Sequence, residues 1–149
     1  MKNIYIIFAL FALILFGNSN KSIAQSGQEL VDICGMVAGE ATYLKDFQIK
    51  LEAAKPGEEQ LKDRYSLVLS RNTKYRFSIC NSKDFSGEAI LQLYDTNRLL
   101  GTNHIVATGK SHPKFDFKCT STGVYHVLVS FKEGKQGMAV VLLSFVEKL

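Results

Sequence analysis

Residues 123–131, Gly-Val-Tyr-His-Val-Leu-Val-Ser-Phe, decide the fold. Tyr125, Val127, Val129 and Phe131 alternate with His126, Leu128 and Ser130, a period of two that puts one set of side chains on one face of a strand. Thr120-Ser121-Thr122-Gly123 turns the chain before this strand and Glu133-Gly134-Lys135-Gln136-Gly137 turns it after. Met138 to Val146 follows as the last and most apolar strand, expected to be central or buried on both faces. Upstream, Phe115, Phe117 and Cys119 form a sixth strand.

Working further back, the same period recurs. Phe47, Ile49 and Leu51 give the first strand, Tyr65, Leu67 and Leu69 the second, and Tyr75, Phe77 and Ile79 the third. Ala89, Leu91 and Leu93 give the fourth, and Arg98 to His104 a short fifth. Ala54-Lys55-Pro56-Gly57, Arg71-Asn72-Thr73 and Asp95-Thr96-Asn97 separate them, and Ile105 to Pro113 reads as a loop. Ser26 to Ala41 breaks the pattern. Leu30, Ile33, Cys34, Val37 and Ala41 recur at three and four, a helical stripe, with Ser26 and Glu29 at capping-box spacing. The expected class is all-β: an antiparallel eight-stranded β-sandwich, jelly-roll-like, with a short N-terminal helix. Tyr75, Phe77, Phe117, Tyr125, Val127, Val129 and Leu143 are its expected common core.

The strand order carries a resemblance. "YRFSICNS" is followed by "AILQLYDTNRLLGTN", then "FDFKCTSTGVYHVLVSF" and "GMAVVLLSFV". From Tyr65 to Val146 this resembles the bacterial pre-peptidase C-terminal domain and related jelly-roll modules, with a looser likeness to GOLD-type sandwiches. The resemblance implies a β-sandwich of secreted proteins, often proteases, that assists folding, secretion or substrate contact. The sequence contains no protease domain, so such a role would act in trans. Calcium-binding relatives cluster their acids; here Asp84, Glu88, Asp95 and Asp116 are scattered, and no calcium site carries over.

The start of the chain sets the compartment. Met1-Lys2-Asn3 precedes an apolar run from Ile4 to Phe16, too short for the roughly 20 residues of a membrane span and suited to a secretory signal. Ser22-Ile23-Ala24 offers small residues for cleavage, so residues 1–24 are expected to be a signal peptide and 25–149 one domain in a secreted or periplasmic protein. No cysteine stands at the cleavage point to make a lipoprotein. Losing Lys2 and Lys21 takes 18 basic residues to 16 against 14 acids, which leaves no basic surplus for nucleic acid.

The three cysteines, Cys34, Cys80 and Cys119, form no CxxC pair, so zinc ribbons and thioredoxin-like sites are not expected. Strand parity puts Cys80 and Cys119 at opposite poles. Cys34, just before the first strand, falls at the pole of Cys119, and both share core-facing parity. If one disulfide forms, it is therefore expected to join Cys34 to Cys119 and leave Cys80 free; the alternative is three buried reduced thiols.

Chemistry-bearing motifs are thin. His104, His112 and His126 lack HxH or HxxxH spacing, and no metal or cofactor is expected. There is no GxSxG elbow. Ser111-His112 are merely adjacent, Cys119 with His126 could imitate a nucleophile and base, and Glu58-Glu59 read as a solvated loop. With no Trp, the aromatics least committed to the core are Tyr43 and Tyr94, which with Lys45 and Arg98 form a candidate polar groove. The reading is a non-catalytic binding or accessory module for a protein or cell-envelope component. The alternative is a carbohydrate-binding module or weak envelope hydrolase. The intact mass of exported protein is expected to correspond to a chain beginning at Gln25; a membrane-bound form retaining Met1 contradicts the signal assignment.

Overall fold

The computed structural model describes residues 23–149, so the apolar run from Ile4 to Phe16 read as a signal peptide lies outside the described residues. Helix α1 (Ile23–Ala38) is followed by strands β1 (Thr42–Leu51), β2 (Asp63–Leu69), β3 (Thr73–Asn81), β4 (Ala89–Tyr94) and β5 (Leu99–Thr102). Then come β6 (His104–Ile105), β7 (Lys110–Ser111), β8 (Lys114–Cys119), β9 (Gly123–Phe131) and β10 (Gly137–Lys148). Two four-stranded antiparallel sheets form, ordered β1-β10-β3-β8 and β2-β9-β4-β5, with β6-β7 as a separate hairpin. Setting the hairpin aside, each sheet interleaves early with late strands, the connectivity of a jelly roll. The all-β sandwich expected from the alternation is the fold observed. The count differs by the hairpin, which occupies the stretch read as the loop Ile105–Pro113.

Both inner faces meet in one core. Phe77, Leu69, Leu91, Leu93, Val127, Val129 and Val141 are at most grazed by solvent. Phe115 stacks on Phe77 with ring centroids 5.3 Å apart. Of the expected core set, Tyr75, Phe77, Tyr125, Val127, Val129 and Leu143 are buried together; Phe117 is half-buried and packs against them. Where β5 crosses toward β8, Gly101 permits close approach: a β-carbon there would stand 2.8 Å from the Phe115 ring.

Strand β10 is buried on both faces. Ala139, Val141 and Leu143 face the sandwich, while Val140 and Leu142 face a second cluster with Leu30, Cys34, Ala38 and Cys80. That second cluster is the underside of α1, which lies across β10 and β3 rather than over the sandwich mouth. The sheet beneath it is called the helix-side sheet; β2-β9-β4-β5 is the open sheet. The helix starts at Ile23, ahead of Ser26, and stops at Ala38 because Gly39 turns out at φ +70°. Arg76 and Lys114 donate to the last carbonyls, Ala38 O at 3.0 Å and Val37 O at 3.1 Å. These cations suit the negative end of the helix. Among the described residues no helix is long and apolar enough to cross a membrane.

The disulfide expectation is corrected. Cys34 bonds Cys80, with Cα atoms 5.5 Å apart, and Cys119 is a buried free thiol. The polar separation was sound: Thr73 pairs with Cys119 at the start of β3, and Cys80 lies seven residues further on, roughly 23 Å away. The inserted hairpin adds two strands and leaves the parity intact. The expectation fails for Cys34 in pole and in face: α1 runs back along the sheet and carries Cys34 to the pole of Cys80. Cys119 points into the sandwich, whereas Cys34 and Cys80 meet on the outer side of the helix-side sheet. Linking residues 46 apart, the bridge stabilises by about 4 kcal/mol in the chain-entropy treatment.

Truncating Phe77, wholly buried between the sheets, is expected to cost about 3–5 kcal/mol in denaturant unfolding. A loss below about 1 kcal/mol would mean that the cavity collapses freely and that the inner faces are misassigned.

Candidate binding surface

With α1 covering the helix-side sheet, the outer face of the open sheet is the broad strand surface left to solvent. Register fixes its composition. Val68 pairs with Val124, Ser66 with His126, and Arg64 with Leu128; on the other side of β9, Tyr94 pairs with His126 and Gln92 with Leu128. Val68 and Val124 are 70% and 56% exposed, an apolar pair at one end of the face. A shallow hollow of about 220 Å³ lies at the same face, lined by Arg64, Tyr94, Asp95, Asn97, His126 and Leu128.

The four candidate groove residues do not come together on one strand surface. Tyr43 and Lys45 lie on edge strand β1 of the helix-side sheet, at a register shift. The Tyr43 hydroxyl donates to Asp46 at 2.6 Å, and this hydrogen bond raises its pKa. Lys45 sits over the Phe47 ring, 5.2 Å from its centre. Tyr94 and Arg98 belong to the open sheet and its β4–β5 turn, where Arg98 pairs with Asp95 at 3.0 Å. Asp95 is held below the usual carboxylate range first by the Arg98 backbone N–H, as expected of a turn organised by an Asx side chain.

The histidines also stay apart. His126 lies on the outer face, its Nδ1 2.9 Å from Ser66 Oγ. His104 Nδ1 lies 2.9 Å from Ser111 Oγ across the β6-β7 hairpin. His112 is exposed beyond it. Among the described residues no three metal-ligating side chains converge. Cys119 and His126 point to opposite faces: the Cys119 thiol meets the Tyr125 hydroxyl at 3.5 Å, inside the sandwich, where burial first and then Cys119 push the tyrosine up to about 12. The two Ser–His contacts resemble half of a hydrolase triad. In such a triad a carboxylate orients the histidine from its far side. Among the described residues neither His104 nor His126 has a carboxylate hydrogen-bonded to its ring, and Glu88 pairs with Lys132 at 3.6 Å. Glu58 and Glu59 are exposed on the β1–β2 loop.

One structural residue that positions the hairpin carries no signal in the sequence. Asn103 is 2% exposed. Its Oδ1 accepts from Leu91 N at 2.7 Å and its Nδ2 donates to Ala89 O at 3.1 Å. Its own N–H donates to Leu91 O at 3.3 Å, and its carbonyl accepts from His112 N at 2.7 Å. It therefore clamps the base of the β6-β7 hairpin onto β4. A short polar side chain inside a Gly-Thr-Asn-His run signals a turn, and nothing local distinguishes a buried clamp from a solvated one.

No family model and no curated protein matches this sequence. Solved structures do. The periplasmic inhibitor of g-type lysozyme PliG from Aeromonas hydrophila aligns with a TM-score of 0.52 at 13% identity, over 72% of this chain and 89% of that one. The pre-peptidase C-terminal domain of a Bacillus anthracis collagenase aligns with a TM-score of 0.50 at 13% identity, over 69% of this chain and 90% of that one. At these identities the likeness is one of fold, and it is the fold likeness that the strand order from Tyr65 to Val146 implied.

Asn103→Ala is expected to cost about 2–4 kcal/mol, because it strands a buried N–H and a buried carbonyl. Thermal or denaturant unfolding reads this, and a variant within about 0.5 kcal/mol of the parent would show that water takes over both bonds.

Proposed function

We propose that the chain is a non-catalytic binding module of an oxidising compartment outside the cytoplasm, secreted or periplasmic, and that its ligand is a protein. The observation that carries the compartment is the Cys34–Cys80 bridge, and the protein ligand rests on the fold likeness to a periplasmic lysozyme inhibitor. Cys34 is fully buried and Cys80 is 7% exposed, and the bond staples a helix onto a sheet. Structural disulfides of this kind persist outside the reducing cytosol. Cleavage after Ala24 keeps Leu30, Cys34 and Ala38, the seated residues of α1, in the mature chain. Two fold neighbours support the same direction: one is described as a periplasmic lysozyme inhibitor and the other as a domain of a collagenase. Neither Ser–His contact has the carboxylate on its histidine that a hydrolase triad requires.

A second reading, carbohydrate binding, draws on the hollow where Tyr94 lies beside Arg64, Asp95 and His126. The two part on one experiment. Exported protein with its disulfide intact is titrated with purified g-type lysozyme and, separately, passed over immobilised peptidoglycan. Saturable lysozyme binding with a Kd of about 10 µM or tighter is expected. No saturation by about 100 µM overturns the reading. Retention on peptidoglycan that Tyr94→Ala abolishes then favours the second.

A further inference from the structure

The β6-β7 hairpin has the build of a presented element. Its base is locked by Asn103, whose side chain and backbone make the four bonds to β4 and His112 described above. Midway, His104 and Ser111 hold the two arms together. Near the tip, Lys132 Nζ donates to Gly109 O at 2.8 Å while pairing with Glu88 at 3.6 Å. The turn closes through Gly109 N to Ile105 O at 2.8 Å, with Gly109 at φ +68°.

What this scaffold presents is apolar. Val106 is 87% exposed and Ile105 44%. Turn centres ordinarily take Gly, Asn, Asp or Ser, so Val106-Ala107 breaks the local rule. Departures of this sort, with no folded-state gain, concentrate at functional sites. The hairpin's own stretch of chain is basic, and the carboxylate beside the tip, Glu88, is paired with Lys132. Between Asp95 and Asp116 the chain has no acid, but has Arg98, Lys110 and Lys114 and two histidines. Arg98 is paired with Asp95 and Lys114 with the helix end, whereas Lys110 makes no ion pair among the described residues.

Resting on the protein-binding reading above, we propose that this hairpin is the docking element. Ile105 and Val106 enter a cleft of the partner that is apolar at its floor and rimmed by carboxylates, and Lys110 pairs with the rim. The clamped base removes the ordering cost that a mobile loop would meet on binding. The lysine adds encounter rate and orientation. Two apolar side chains bury too little surface to hold a membrane without further anchoring. Glycoside hydrolases carry paired carboxylates at the scissile bond, which makes g-type lysozyme a probe of suitable chemistry.

The test titrates purified g-type lysozyme against the full mature chain and three variants, Val106→Asp, Lys110→Glu and Leu61→Asp. All three positions are exposed, and matching melting temperatures confirm folding. Val106→Asp is expected to weaken binding at least about tenfold, as loss of a central anchor does. Lys110→Glu is expected to weaken it and to reverse its salt dependence. Leu61→Asp, on the exposed β1–β2 loop, stays within about twofold, the range of a neutral contact. If Val106→Asp binds like the parent, the hairpin assignment is overturned while protein binding stands. If the parent itself fails to bind, both are overturned. Co-sedimentation of the parent with phosphatidylglycerol vesicles, abolished in Val106→Asp, assigns the tip to lipid and also overturns the proposal.

Discussion

Strand β10 has two apolar faces, and both must be covered. Val141 and Leu143 are met by the open sheet, and Val140 and Leu142 by α1. Full burial of one such side chain contributes about 1.5–3 kcal/mol, so an uncovered face of β10 would forfeit several kcal/mol in a molecule of marginal stability. The N-terminal helix is thus part of the core. Its position over β10 and β3 decides which surfaces remain for anything else: the outer face of the open sheet, the sandwich poles and the hairpin.

The helix is held in three chemically distinct ways. Leu30, Cys34 and Ala38 seat it by packing. The Cys34–Cys80 bond fixes it covalently. Arg76 and Lys114 reach its final carbonyls, and Arg76 is itself oriented by a two-oxygen ion pair with Asp116 at 2.7 and 2.9 Å. That pair depresses the Asp116 pKa, Arg76 being the first cause and Lys74 a lesser one. Its stabilising effect is present above the ordinary carboxylate range and fades as acid titrates Asp116 through its lowered value. Packing, bond and ion pair all act on one side of the sandwich, away from the β6-β7 hairpin, whose own restraints come from β4 and Lys132.

Much of this was legible in the residues. Alternation in β3, β4 and β9 is strong because each has one face in the core, and the paired faces fix strand identity and parity. The unbroken apolar run of β10 announced two-sided burial. What occupies its second face was not legible, since a helical stripe says which side of α1 is apolar and nothing about which surface receives it. Position before the first strand therefore points Cys34 to the pole of Cys119, and Cys80, outward beside Ile79, finds no partner without a helix laid along the sheet. The hairpin escaped because two-residue arms carry no periodicity and Val106-Ala107 is no turn signal. Tyr43, Lys45, Tyr94 and Arg98 share polarity and nearness to turns, but β1 carries the first two on one sheet, and β4 and the turn after it carry the others on the second.

A non-reducing peptide map of exported protein tests most directly whether α1 lies across the outer face of β10 and β3. A peptide pair linking Cys34 to Cys80 is predicted, with Cys119 alkylated only after denaturation. A Cys34–Cys119 linkage would place the helix at the sandwich pole, leave Val140 and Leu142 uncovered, and contradict the account.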